Sequence, residues 1–361
     1  MPIFPRQFLA SRNSDLSPDP REERRIRTYN LCLLGFGNVN RALVRLLQKK
    51  ERELRERDIA CRITGVATRR LGWLADANGF DVASLGGGNI PATQNLERPA
   101  NVREWLREAH AGVLFEATSL DPHTGQPAID HIRAALEMGA HAITANKGPI
   151  VHAYDELRSL AAAKGRRFLF ESTVMDGAPI FSLFRDSLPA VNLRGFRGIL
   201  NSTTNVILSS MEAGLNFEQA LRRAQEVGVA ETDPRHDIDG WDATVKVAAL
   251  VTVLMGVPIR LEQIKREGIG KLTGEVVRAA RAAEKPYKLV CHAKRTSQGV
   301  AASVAPEQLP LSDPLAWVAG TSSVVYFETD IFPGLAITET NPGVETTAYG
   351  MLADFIRAAA G

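Results

Sequence analysis

The chain has 361 residues, 45% of them hydrophobic and 23% charged, and a net charge of +2. That length accommodates two or three domains, and the near-neutral balance gives no electrostatic case for a nucleic-acid or acidic-membrane partner. The longest apolar run, VKVAALVTVLMGVPI, is interrupted by Lys246, Gly256 and Pro258, which excludes a bilayer-spanning helix there.

Residues 1–27 include SRNSDLSPDPREERRIR, polar, proline-punctuated and charge-rich, which predicts a flexible arm. No signal-peptide pattern precedes it. Cys32, Cys61 and Cys291 are too scattered for a metal pair or a disulfide framework, so a reducing, cytoplasmic setting is expected, with Cys32 and Cys61 as buried thiols.

Leu31 to Leu34 read as a short buried strand. Gly35 and Gly37 follow, then Val39, Leu43, Leu46 and Leu47 at helical spacing. Strand, glycine turn and helix open a dinucleotide-binding unit, with Gly35, Phe36, Gly37, Asn38 and Val39 as the candidate phosphate-binding turn. Asn40 replaces the third glycine of G-x-G-x-x-G, which predicts a wider helix–strand contact or a local hydrogen bond. The next strand, Cys61 to Thr68, ends in Arg69 and Arg70 with no acid, a pattern that suits a 2′-phosphate and favours NADP(H), with NAD(H) as the alternative. LGGGN, residues 85–89, reads as a loop. NVREWLREA and PAIDHIRAALEMGA read as helices. GVLFEATS reads as a strand ending at Thr118 and Ser119, and HAITANKGP as one ending at Asn146, Lys147 and Gly148. Ligands of open parallel sheets bind beyond such strand ends.

In the second half a strand runs into Leu200, and Asn201, Ser202, Thr203, Thr204 and Asn205 crowd the junction with a helix, where they can cap it or bind a polar ligand. A loop then carries Glu231, Asp233, His236, Asp237 and Asp239. The helix after it bears Asp242 and Lys246 on one face and is otherwise apolar nearly all round. A charged pair at the mouth of a buried helix points to a polar site. KPYKLVCHAK, GVAASVAPEQL, SSVVYFETD and LAITET read as strands of a second, mixed sheet, and TTAYGMLADFIRAAA as a helix returning to the nucleotide-binding unit.

Taken together, GFGNV, TANKGP, ESTVMDGAPI, GILNSTTNVIL, AETDPRHDIDGWDATVK and NPGVETTAYGMLADFI resemble homoserine dehydrogenase, over roughly residues 29–358. The resemblance implies an α/β chain. A Rossmann-type parallel sheet over 28–149 joins an α+β substrate-binding and dimerisation domain with a mixed sheet over 150–340, and residues 341–361 form the returning helix. It implies NAD(P)H-dependent interconversion of L-aspartate 4-semialdehyde and L-homoserine, in threonine, methionine and isoleucine biosynthesis, by a homodimer. Lys246 matches the acid–base lysine and Lys147 the second active-site lysine, next to cofactor and substrate. Glu231 and Asp242 match the substrate-binding acids, Glu231 facing the amino group, and Asp242 joins the catalytic set as the partner of Lys246. Asp237 falls on an acidic position of the motif and, with Thr203 of the strand–helix junction, is expected to bind substrate. Thr118 and Gly343 match cofactor contacts, with Ser119 beside them. The carbonyls of Glu171, Val174, Asp176 and Ala178 match a monovalent-cation site, commonly sodium. Ser202 stands where many relatives have glycine. The tail resembles the shorter branch of the family, so feedback through a C-terminal regulatory domain is expected to be absent.

The chemistry asks for a cation near the developing alkoxide and a proton donor beside it. Lys246, pulled down by burial and up by Asp242, can serve as both, with Lys147 sharing the oxygen. The alternatives are an aspartate-type amino-acid dehydrogenase, which would lack the Glu231-to-Lys246 constellation, and a non-catalytic NADP-binding sensor.

Overall fold

Leu31, Cys32, Leu33 and Leu34 are 0–4% exposed in the computed structural model, which describes residues 26–88, 90 and 99–360. They end β1 (Arg27–Leu34), so the last residue of the expected arm already belongs to a strand, and residues 1–25 lie outside the described part. Alternate residues of β1 enter two different cores: Leu31 and Leu33 one, Cys32 and Leu34 the other. A strand covered on both faces loses the polar alternation of a half-exposed one, which is why this segment reads as an unbroken apolar run.

The remaining elements of the first half are α1 (Asn38–Lys49), α2 (Glu51–Arg55), β2 (Ile59–Thr68), β3 (Gly72–Ala75), α3 (Val82–Gly86), α4 (Val102–Glu108), β4 (Val113–Glu116), α5 (Ala128–Glu137), β5 (His141–Thr144), α6 (Gly148–Ala163) and β6 (Phe168–Leu169). The sheet order is β3-β2-β1-β4-β5-β6, parallel except for antiparallel β3. The order reverses between β1 and β4, and this topological switch opens a crevice at their carboxyl ends.

The structure departs from the sequence expectations at several further places. β4 stops at Glu116, so Thr118 and Ser119 follow the strand instead of ending it. β5 stops at Thr144: the Asn146 side chain accepts the Gly148 amide at 3.0 Å, and Pro149 suits the first turn of α6, so Lys147 caps a helix instead of ending a strand. Leu85 and Gly86 close α3, which Asp81 caps by accepting the Ser84 amide; only Gly87 and Gly88 form the turn, and Asn89 lies outside the described residues. β3 was not foreseen, because four residues show no periodicity. The first sheet also continues past residue 149, since β6 pairs with β5.

The second half contains α7 (Ile180–Ser182), β7 (Leu193–Ile199), α8 (Ser202–Glu212), α9 (Phe217–Glu226), α10 (Arg235–Ile238), α11 (Trp241–Leu254), β8 (Lys265–Arg266), α12 (Gly274–Ala282), β9 (Tyr287–Thr296), β10 (Gly299–Gln308), β11 (Ser323–Thr329), β12 (Leu335–Glu339) and α13 (Val344–Ala360). Its sheet, β12-β11-β7-β9-β10-β8, is mixed: the β10–β8 pair is parallel and the others antiparallel. α11 packs between this sheet and α6, and from Ala243 to Thr252 only Lys246 is not fully buried. α13 returns to lie on α1. No helix of the described residues is long and apolar enough to cross a membrane. All three cysteines are free thiols. Cys32 and Cys291 are buried and Cys61 is partly exposed, and burial pushes Cys61 and Cys291 up to about 12.

Candidate active site

Gly35 turns the chain off β1 with φ of 78°, and a Cβ there would stand 2.4 Å from the Ala117 carbonyl oxygen, so only glycine fits. A Cβ on Gly37 would meet nothing within 4 Å; the backbone is open where a ligand would approach. Gly37 also supplies no side-chain cap to the 12-residue α1, leaving the first-turn amides free for an anion. Asn40 accounts for the missing third glycine: its amide donates to the Leu34 and Gly35 carbonyls at 3.0 and 3.1 Å, tying helix to strand.

A groove of about 880 Å³ runs from this turn along the carboxyl ends of β1, β2 and β4. Gly35, Phe36, Gly37, Arg69, Arg70, Thr118 and Ser119 line it, together with Arg41 and Trp73, which sequence reasoning missed. Asn38 opens α1, exposed beside it. Arg69 and Arg70 are exposed on the β2–β3 turn. A dinucleotide's phosphates and adenosine end have a fitting set of donors here.

A smaller cavity of about 200 Å³ adjoins the groove. Val39, Thr118, Lys147, Val174, Asp176 and Lys246 are among its walls, and Thr118 belongs to both spaces. Packing of α6 on α11 brings Lys147 to Asp242: their Nζ and Oδ1 atoms are 3.4 Å apart. Lys246 Nζ lies 3.0 Å from the other oxygen of the same carboxylate, and donates to the Leu200 carbonyl at 2.6 Å. The three side chains are 17–20% exposed. Asn201 is the hub that local reasoning divided between capping and binding, and it does both. Its oxygen accepts the Thr204 amide at the start of α8, while its amide donates to Asp237 at 2.7 Å and Asp242 at 3.0 Å. Thr203 bonds the Val229 carbonyl at 3.1 Å and also faces Asp237.

These contacts fix the charges. Burial alone would lower the Lys246 ammonium, but the Asp242 carboxylate outweighs it, with Asp176 and Asp237 adding, and holds it above its ordinary value. Burial would raise Asp242, yet the Lys246 and Lys147 cations and Asn201 hold it well below the carboxylate range. Asp237 is raised by burial and by the neighbouring Asp242 charge. Burial, with the Asp176 charge, raises Glu339 at the end of β12 to about 7, an acid near Lys246 that sequence reasoning missed.

Two other expected residues, Glu231 and Gly343, lie apart from this cluster. Glu231 is exposed; its carbonyl accepts from Gln225 at 3.2 Å and its carboxylate has no ion pair among the described residues. Gly343 lines neither cavity and exchanges hydrogen bonds with Thr346 at the start of α13. Glu171, Val174 and Ala178 are buried and Asp176 half-buried in one turn-rich stretch after β6. The Glu171 carboxylate is taken up by the Phe181 and Ser182 amides at 2.7 and 2.9 Å. Four main-chain carbonyls on one such stretch are the hard-oxygen donor type a monovalent cation takes, although that of Ala178 already accepts the Ile180 amide at 2.8 Å. Among the described residues no group of three or more His, Cys, Asp or Glu could hold a metal ion.

Comparison with known proteins places the chain in a family. Residues 35–171 match the family model for the NAD binding domain of homoserine dehydrogenase, and residues 179–356 the model for homoserine dehydrogenase itself. The chain is 34% identical over 337 residues to an NAD(+)-dependent homoserine dehydrogenase of Pseudomonas canavaninivorans, covering 91% of this chain and 95% of that one. It is 32% identical over 333 residues to the homoserine dehydrogenase of Methanocaldococcus jannaschii, covering 91% and 97%. A hyperthermophilic archaeal homoserine dehydrogenase solved in complex with NADPH superposes with a TM-score of 0.78 at 27% identity, covering 92% and 98%. With an NAD(P)-type groove leading to a two-lysine cavity, the chain belongs to the homoserine dehydrogenase family, NAD(P)-dependent oxidoreductases acting on a CH–OH group.

Proposed function

We propose that the chain interconverts L-aspartate 4-semialdehyde and L-homoserine in the biosynthesis of threonine, methionine and isoleucine, with Lys246 as the acid–base residue. The observation that carries this reading is the single carboxylate of Asp242 holding two ammonium groups at the inner end of the nucleotide groove. The nucleotide, when bound along the groove, supplies or takes up the hydride. Lys147 and Lys246 then stabilise negative charge on the substrate oxygen, and Lys246, cationic at rest, gives it a proton in the reductive direction. Asp237 and Thr203 serve the polar end of the substrate. Glu231 would reach its ammonium if the exposed 231–233 segment folded inward.

Arg69 and Arg70 support a preference for NADP(H), since a 2′-phosphate needs cations where a free ribose hydroxyl needs an acid. The NAD(+)-dependence of the Pseudomonas relative favours the second reading, use of NAD(H). The carbonyls of Glu171, Val174, Asp176 and Ala178 would hold a monovalent cation such as sodium, stiffening the turn behind the smaller cavity. The first sheet with α13 forms the nucleotide-binding unit and the second sheet the substrate and dimerisation unit. The assembly on this reading is a homodimer, as the resemblance implies, formed through the second sheet. An enzyme of this kind works in the cytoplasm.

The test is reduction of aspartate semialdehyde followed by nicotinamide absorbance. Lys246→Ala should lose turnover while equilibrium binding of the nucleotide stays within a few-fold of wild type. Near-normal turnover in that variant would overturn the assignment.

A further inference from the structure

Glu116, the last residue of β4, is 0% exposed, and no substrate or phosphate role accounts for an acid buried there. Its surroundings form a closed hydrogen-bond set. Glu116 Oε1 accepts both the amide of Thr118, at 2.8 Å, and the Thr118 hydroxyl. The other oxygen, Oε2, lies 2.6 Å from the Thr144 hydroxyl, which itself accepts the Asn146 amide at 2.9 Å. Asn146 in turn receives the Gly148 amide, so the set joins the end of β4 to the start of α6, where Lys147 sits.

The donor and acceptor roles at Thr118 follow whether or not the acid is ionised. Burial raises Glu116 against the pull of these hydrogen bonds, and a proton, if present, belongs on Oε2, where Thr144 can accept it and turn its own hydrogen towards the Asn146 carbonyl at 3.5 Å. Oε1 is already an acceptor of the Thr118 N–H and stays one. The Thr118 hydroxyl hydrogen is therefore committed to Glu116 in both states, and only lone pairs of that oxygen are left to face outward. They face the place where the nucleotide groove meets the two-lysine cavity, since Thr118 lines both.

We propose that Glu116 is a positioning residue that fixes Thr118 as an acceptor only, and so selects the carboxamide N–H of a nicotinamide ring at the junction of the two cavities. This rests on the nucleotide reading above. Nicotinamide differs from its 3-acetyl analogue by an NH₂ donor in place of a methyl group. An acceptor at that point discriminates between the two; a hydroxyl free to rotate can instead donate to the oxygen that both rings carry.

The test is equilibrium binding, by calorimetry, of NADP⁺ and NAD⁺, each against its 3-acetylpyridine analogue. One lost hydrogen bond of ordinary strength makes the analogue bind about tenfold more weakly to the wild type. Glu116→Gln keeps that ratio, because its amide oxygen replaces Oε1 and its NH₂ serves Thr144. Glu116→Met frees the hydroxyl and brings the ratio close to one. Thr118→Val, which leaves the buried acid in place, also brings the ratio close to one, because the acceptor itself is gone, and Glu116→Leu takes the place of Glu116→Met if the Met variant fails to melt cooperatively. A tenfold ratio surviving in Thr118→Val, or a ratio lost equally in Glu116→Gln and Glu116→Met, overturns the proposal. A wild type that binds neither NADP⁺ nor NAD⁺ overturns the nucleotide reading itself.

Discussion

Asp242 offers one oxygen to Lys147 and the other to Lys246, and Asn201 presses on it from a third side. Local reasoning from the Asp242–Lys246 spacing predicted opposing pulls on the lysine; in the folded chain the carboxylate wins and Lys246 is held cationic. The same anion keeps two ammonium groups in one partly buried space, where alone they would repel. Asp242→Asn removes that compensation. Lys246 then loses the upward pull while burial still favours its neutral form, so its titration moves down towards neutrality. We expect kcat/KM for semialdehyde reduction to fall by roughly a hundredfold or more, and its decline with rising pH to begin at lower pH than in the wild type. Measurement between pH 6 and 10 checks this; a decline unmoved by the substitution would mean that Lys246 is not the proton donor.

The β2–β3 hairpin shows what local pattern does and does not encode. Apolar runs and helical spacing located β1, β2, α1, α5, α8 and α11, since each element's burial is written in its own periodicity. β3 is too short to leave a pattern, yet its pairing of Gly72 with Thr68 makes Arg69, Arg70 and Leu71 a three-residue turn over the groove, with the Leu71 amide bonded back to the Thr68 hydroxyl. Likewise Asn201 reaches Asp237 and Asp242, 36 and 41 residues ahead, contacts that no spacing rule reveals. Glu116 did carry a signal, an acid inside the apolar VLFE strand, since a buried acid needs partners. Because the two turn arginines are exposed, their neutralisation should leave the melting temperature unchanged. Arg69→Gln with Arg70→Gln should lower the NADPH-to-NADH ratio of kcat/KM about tenfold, the loss of one charge-assisted contact. An unaltered ratio would remove these residues from cofactor choice.

At the scale of the whole molecule, α13 locks the two halves together. A Cβ on Gly177 would lie 2.2 Å from the Thr346 carbonyl oxygen, and one on Gly350 2.4 Å from the Ser172 hydroxyl, so helix and 171–178 stretch meet backbone to backbone. Asp354, 1% exposed, accepts the Glu171 amide at 2.7 Å across this seam. Arg357 approaches it at 3.2 Å, but that side chain is 34% exposed and shared with Glu171 and Asp186. Burial therefore prevails and raises Asp354 to about 7, with the Glu171 charge contributing. The sign of the consequence is fixed. Below about pH 4 the acid is protonated in both folded and unfolded chains and contributes no pH dependence. Between about 4 and 7 only the unfolded chain gives up the proton, so this group's contribution to stability falls as pH rises, by on the order of a few kcal/mol in all, and stays low above 7. Asp354→Asn, which keeps an acceptor for the Glu171 amide and cannot ionise, should gain on the wild type across that window. The melting temperature of the variant minus that of the wild type is expected to increase by a few °C from pH 5 to pH 8, and a difference that is flat or shrinks with pH would show that the seam holds Asp354 ionised.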